Sequence, residues 1–89
     1  VPKHKIIHKE DKAFIYVDMC GFEKEEVEVN LKDSNLHISS KKENHDFVEP
    51  VDFFIKLYNK YKVKEATLEN GLLVIELFKE VHTEKILIT

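Results

Sequence analysis

Five histidines and one cysteine carry the widest chemical repertoire in this chain: His4, His8, His37, His45, His82 and Cys20. Histidines in H-x-x-x-H spacing on a helix bind a metal ion, and a thiol beside an imidazole makes a nucleophile pair. His4 and His8 have that spacing, but they straddle the start of a strand pattern, and no helix pattern contains them. With one cysteine and scattered acids, no set of ligands converges in sequence. The sequence orients no partner toward Cys20, which reads as a buried or half-buried structural thiol. Glu23, Glu25, Glu26 and Glu28 read as a solvated turn and strand face. There is no glycine-rich phosphate loop and no G-x-S-x-G nucleophile elbow. The expectation is a protein that is not an enzyme and has no metal, nucleotide or other cofactor.

What remains is the chemistry of apolar contact. The chain ends in Ile86-Leu87-Ile88, a short apolar run on an otherwise polar tail. Side chains alternate along an extended segment, so Ile86 and Ile88 share one side and Leu87 faces away. Such a tail gains nothing in water and gains free energy only by docking. One reading makes Ile86–Ile88 the last strand of the same domain. The other makes 80–89 an extension that docks elsewhere. The mostly polar spacer Glu80–Lys85, following a strand that already looks complete, favours the second.

The elements that must position such contacts are strands. Phe14–Met19 is rich in β formers. Val27, Val29 and Leu31 alternate with polar residues, as do Leu36 and Ile38. Phe53–Tyr58 and Leu72–Phe78 make two more strands, the second with Leu73, Ile75 and Leu77 on its core face. Shorter candidates are Lys5–His8 and Lys64–Leu68. Cys20-Gly21 closes a strand, and Lys32-Asp33-Ser34-Asn35 is a polar turn of hairpin length. Asn70-Gly71 is the strongest hairpin signal, because a type I′ turn needs positive φ at both central residues. Glu23–Glu26 has room for one helical turn. Lys41–Pro50, polar apart from Phe47 and Val48, reads as a connecting loop. Short strands with turn signals about every ten residues predict an all-β sandwich.

Composition narrows the function classes. The chain has 89 residues, enough for one domain with a modest core. Its formal net charge is −3, and all 14 cationic side chains are lysines. Without arginine there is no bidentate readout of guanine or phosphate, so no nucleic-acid partner is expected. No apolar run approaches the roughly 20 residues that span a bilayer, so no membrane partner is expected. A single cysteine and the lack of a signal-peptide pattern lead to the expectation of a cytoplasmic location.

Several segments together resemble one family. Asp18-Met19-Cys20-Gly21-Phe22-Glu23-Lys24-Glu25-Glu26-Val27-Glu28-Val29 resembles the Asp-Leu-Pro-Gly-Phe-x-x-Glu-Asp-Ile-x-Val segment of small heat shock proteins. Leu36-His37-Ile38 is similar to the Leu-x-Ile strand that follows it. Ala66, Asn70, Gly71, Leu72 and Leu73 match the Ala-x-x-x-Asn-Gly-Val-Leu signature. Ile86 and Ile88 match the C-terminal Ile-x-Ile/Val tail. The matches keep the family's order from about residue 13 to the end.

The resemblance implies an α-crystallin domain, an immunoglobulin-like sandwich of seven to eight strands, over 1–79, with 80–89 as C-terminal extension. It implies an ATP-independent holdase that binds partly unfolded client proteins and assembles as dimers linked by tails into larger homo-oligomers. The tail's two aliphatic side chains would enter a neighbour's groove between the strands that correspond to Val27–Leu31 and Lys64–Leu68. Val27, Val29, Leu31 and Thr67 are the expected groove wall, and Ala66, Asn70, Gly71 and Leu73 the signature turn. Three departures stand out. Cys20 replaces proline, Tyr58 replaces the proline after Leu57, and the Lys41–Val51 connector is short for a swapped strand. A dimer built by pairing a strand near Phe47–Ile55 with its own copy is the alternative to a swap, with Phe47, Val48 and Phe53 as contact candidates. The rival function is a co-chaperone adaptor of CS-domain type that binds one defined partner. The absence of tryptophan and the Ile-x-Ile tail count against it.

Overall fold

The alternation of apolar and polar residues is realised as seven strands in a computed structural model, which describes residues 1–41, 48–58, 60–80 and 85–89. The strands are β1 (His4–Lys9), β2 (Lys12–Asp18), β3 (Val27–Lys32), β4 (Asn35–Ser40), β5 (Asp52–Lys56), β6 (Lys62–Glu69) and β7 (Leu72–Phe78). One 3-10 turn, Lys24–Glu26, precedes β3. A four-stranded antiparallel sheet has the order β1-β2-β7-β6, and a three-stranded one the order β3-β4-β5.

Period-2 patterning sends alternate side chains of the two sheets toward each other. Ala13, Ile15 and Val17 of β2 meet Leu73, Ile75 and Leu77 of β7, with Ile15 directly opposite Ile75. Leu36 and Ile38 of β4 lie opposite Ile55 and Phe53 of β5. Met19, Leu57 and Tyr61, on the segments that cross between sheets, complete the buried core. The face that β7 turns inward is the one its alternation predicts.

Turn chemistry fixes the registers. Asn70 (φ 50) and Gly71 (φ 79) both take positive φ in the two-residue β6–β7 loop, as Asn-Gly requires. Asp33 (φ 49) and Ser34 (φ 69) do the same between β3 and β4 without a glycine. Gly21 sits at φ 95 where the chain leaves β2 and crosses to the other sheet, and a Cβ there would come within 2.7 Å of the Val48 Cγ2 methyl. The acidic run forms its single turn: the Glu23 N–H donates to Glu26 Oε1 at 2.9 Å, and the Glu26 N–H to Glu23 O at 2.9 Å.

Candidate functional site

Four strands end the two sheets, and they face each other in pairs. β6 faces β3 on one flank, and β1 lies on the β5 side of the other. On the β3/β6 flank the inward side chains are short. Val27 and Val29 line one wall, Ala66 and Leu68 the other, and Leu73 reaches in from β7. They leave an open cavity of about 450 Å³, completed by Lys24, Thr67 and Glu69. A second cavity of about 460 Å³ adjoins it, sharing Lys24 and Leu68 and bordered by Cys20, Gly21 and the Asn70-Gly71 turn. The first is an apolar slot between two strands that share no hydrogen bonds, of a size that suits small apolar groups.

The expected groove residues fall here with two differences. Val27 and Val29 line the slot. Leu31 points inward opposite Leu36 and joins the core, outside the cavity. Thr67 lies opposite Val74 on the outer face and borders the slot from the strand edge, whereas Ala66 and Leu68, opposite Ile75 and Leu73, point inward. Ala66 and Leu73, expected only as signature residues, therefore also shape the slot. Thr67 takes the outward parity because the two-residue Asn70-Gly71 turn sets Leu68 opposite Leu73 and Ala66 opposite Ile75, and almost no buried residue of β6 marks its inner face.

The other flank is plugged by rings. Phe53 is 7% exposed and lies 5.6 Å from the His4 ring. His8 Nδ1 shares a 3.0 Å hydrogen bond with the Tyr61 hydroxyl, which closes one end of the sandwich. The expectation that Phe53 offers its side chain to a partner is corrected: Phe53 shares the inward parity of Ile55. The exposed ring is Phe54, at 65%. Val48 spends its side chain on Gly21, and Phe47 lies outside the described residues.

The reactive side chains stay dispersed. The His37 Nε2–H donates to Asp52 Oδ1 at 2.6 Å, and its ring stacks on Phe54 at 4.3 Å. The expectation of a buried or half-buried thiol is corrected: Cys20 is exposed, at the turn where the chain leaves β2. His45 and His82 lie outside the described residues. Among the described residues no three His, Cys, Asp or Glu side chains gather to hold a metal ion. No helix among them is long and apolar enough to cross a membrane.

The tail enters no strand over residues 85–89. Ile86 is 81% exposed and Ile88 92%. Its root is held: the Lys79 N–H donates to Asp11 O at 2.8 Å, the Lys79 ammonium sits 5.3 Å from the centre of the Tyr61 ring, and Glu80 pairs with Lys62.

A seven-stranded sandwich with one flank open between its edge strands is the architecture of an α-crystallin-like domain. The sequence profile of the Hsp20/alpha crystallin family matches residues 5–88, and the chain belongs to that family. Among solved structures, the chain is similar to a C-terminally truncated small heat shock protein AgsA from Salmonella typhimurium. The TM-score is 0.73 at 24% identity, covering 99% of both chains. Heat shock protein 16.0 from Schizosaccharomyces pombe matches at TM-score 0.73 and 23% identity, over 99% of this chain and 97% of that one. A small heat-shock protein from Xylella fastidiosa matches at TM-score 0.80 and 18% identity, over 100% and 94%. Comparison with curated proteins gives no match.

Proposed function

We propose that this protein is a non-catalytic, ATP-independent holdase that binds partly unfolded proteins and assembles through domain dimers and tail docking. The observation that carries the reading is the pairing of an open apolar slot at β3/β6 with a free Ile-x-Ile tail on the same chain. In this reading 1–79 is the folded domain, 80–89 is its extension, and Ile86 and Ile88 of one chain enter the slot of another. Each isoleucine would contribute about 1.5–3 kcal/mol on full burial, less the cost of ordering the tail. One tail is then weak and reversible, and many tails hold an oligomer by avidity. The same slot, with a free strand edge beside it, suits an extended apolar segment of an unfolding client. β1 and β5 each end a sheet, so either edge supports a strand-mediated dimer. The family and the fold support the chaperone role, and the lack of arginine counts against base or phosphate readout of nucleic acid; a cytoplasmic location, without membrane or cofactor, is part of the same proposal.

Light scattering after size exclusion, on the whole chain and on one cut after Lys79, tests this. A large species that falls to a dimer on truncation is expected. A monomer in both forms overturns tail-linked assembly and favours the single-partner adaptor.

A further inference from the structure

The outer faces of the two sheets carry their charges in different ways. On the four-stranded sheet the charges are spent on one another. Lys12 and Lys64 both reach Glu76, at 4.0 and 3.4 Å, and Lys9 lies over the Phe14 ring. On the three-stranded sheet they are sorted. Register sets Glu28, Ser39 and Asp52 in one row across β3, β4 and β5. Asn30, His37 and Phe54 form the next row, and Lys32, Asn35 and Lys56 the one after. The face therefore has an acidic end, a basic end and, between them, two stacked rings, of which Phe54 is exposed. Among the described residues no ion pair holds Glu28, Lys32 or Lys56, and Asp52 is met only by His37.

A face ordered in this way fits its own copy. Sheets pack face to face about 10 Å apart with their strands nearly aligned. A two-fold axis along the middle row runs the strands of one copy against those of the other. It lays Glu28 over the partner's Lys32, Asp52 over the partner's Lys56, and Phe54 over the partner's Phe54. Symmetry doubles the two ion pairs to four. Beyond the rows, Lys41, whose N–H donates to Glu26 O past the acidic end, comes to the turn that holds Asp33 past the basic end. An axis along the strands would instead set acidic row on acidic row.

We propose that the outer face of β3-β4-β5 is an interface for a second copy of this chain, the acidic row of each copy lying on the basic row of the other. From β3 to β5 is two strand spacings, about 10 Å, and from Glu28 to Lys32 about 14 Å. With its side chains such a face buries on the order of 1,000 Å² over both copies, the lower end for a specific contact. Alone it is weak and comes apart on a sizing column. Within an oligomer it adds to the other contacts through avidity. It uses neither the tail nor the β3/β6 slot, so it does not depend on tail docking.

The test is cross-linking of the full chain with a short bismaleimide. Cys20→Ser removes the native exposed thiol, and Asn30→Cys places a new one on the axis. Face-to-face packing sets the two thiol positions about 10 Å apart, whereas a dimer paired through its β5 edges separates them by five strand spacings, about 24 Å. Expected is a covalent dimer, in far higher yield than from Glu65→Cys on the outer face of the other sheet. Adding Lys32→Glu turns two of the four pairs repulsive and should cut the yield about ten-fold. Glu28→Lys together with Lys32→Glu should restore it, because the swapped face is again self-complementary. No covalent dimer, or a yield equal to that from Glu65→Cys, overturns the interface. A yield indifferent to Lys32→Glu, or one that the double swap fails to restore, overturns the pairing of acidic on basic rows.

Discussion

The two flanks of this sandwich have the same architecture and opposite outcomes. Each is a gap between an edge strand of one sheet and an edge strand of the other. At β1/β5 the buried Phe53 ring has the exposed His4 ring 5.6 Å from it, and a cavity of about 260 Å³ beside the start of β5 is lined by Val1, Pro2 and residues 49–53. At β3/β6 the gap receives Val27, Val29, Ala66 and Leu68, and a larger apolar slot remains. Strand order alone does not decide which flank stays open. Side-chain volume does. A protein that exposes an apolar slot accepts a liability for aggregation that most soluble domains remove, and here that liability lies on the β3/β6 flank.

The comparison can be broken by changing residues on either flank, and the largest effect belongs to the plugged one. Phe53→Ala removes a buried ring and should cost about 3–5 kcal/mol, comparable to the whole stability of a small domain. Urea unfolding will show it as a large fall in midpoint. Tyr61→Phe, which leaves the ring and removes its bond to His8, should cost about 1 kcal/mol on the same measurement. On the open flank the readout changes. Ala66→Glu points a charge into the slot from a solvent-accessible position, so folding should move by less than about 0.5 kcal/mol, while species beyond the dimer disappear in size exclusion. Ile86→Ala with Ile88→Ala should leave the unfolding curve unmoved and give the same loss of large species. If either open-flank change lowered stability as Phe53→Ala does, the division between a flank for folding and a flank for binding would be wrong.

How much could be read beforehand depends on how each strand is marked. β2, β4 and β7 alternate strongly, and their inner faces follow from sequence because a one-residue slip would expose the whole core set. The Asn70-Gly71 turn was legible from backbone chemistry. The Asp33-Ser34 turn was legible only as a polar break, since neither residue announces positive φ. β6 resisted. It has one half-buried residue, Leu68, and is otherwise exposed, so no alternation of burial marks its inner face. Thr67 thus stood in for Ala66 and Leu68. Phe53 was different: its parity with Ile55 and Leu57 was available, and the adjacent Phe54 obscured it. The root contacts of the tail, Lys62 with Glu80 and Lys79 with Tyr61, join residues 18 apart, and no local pattern marks them.

One further consequence follows from β3 and β6 belonging to different sheets. No backbone ladder spans them, so nothing rigid sets the width of the slot. Its two walls meet only through the shared core, to which Ile15, Ile38 and Ile75 belong, so a methyl group added between the sheets is expected to change the opening of the slot.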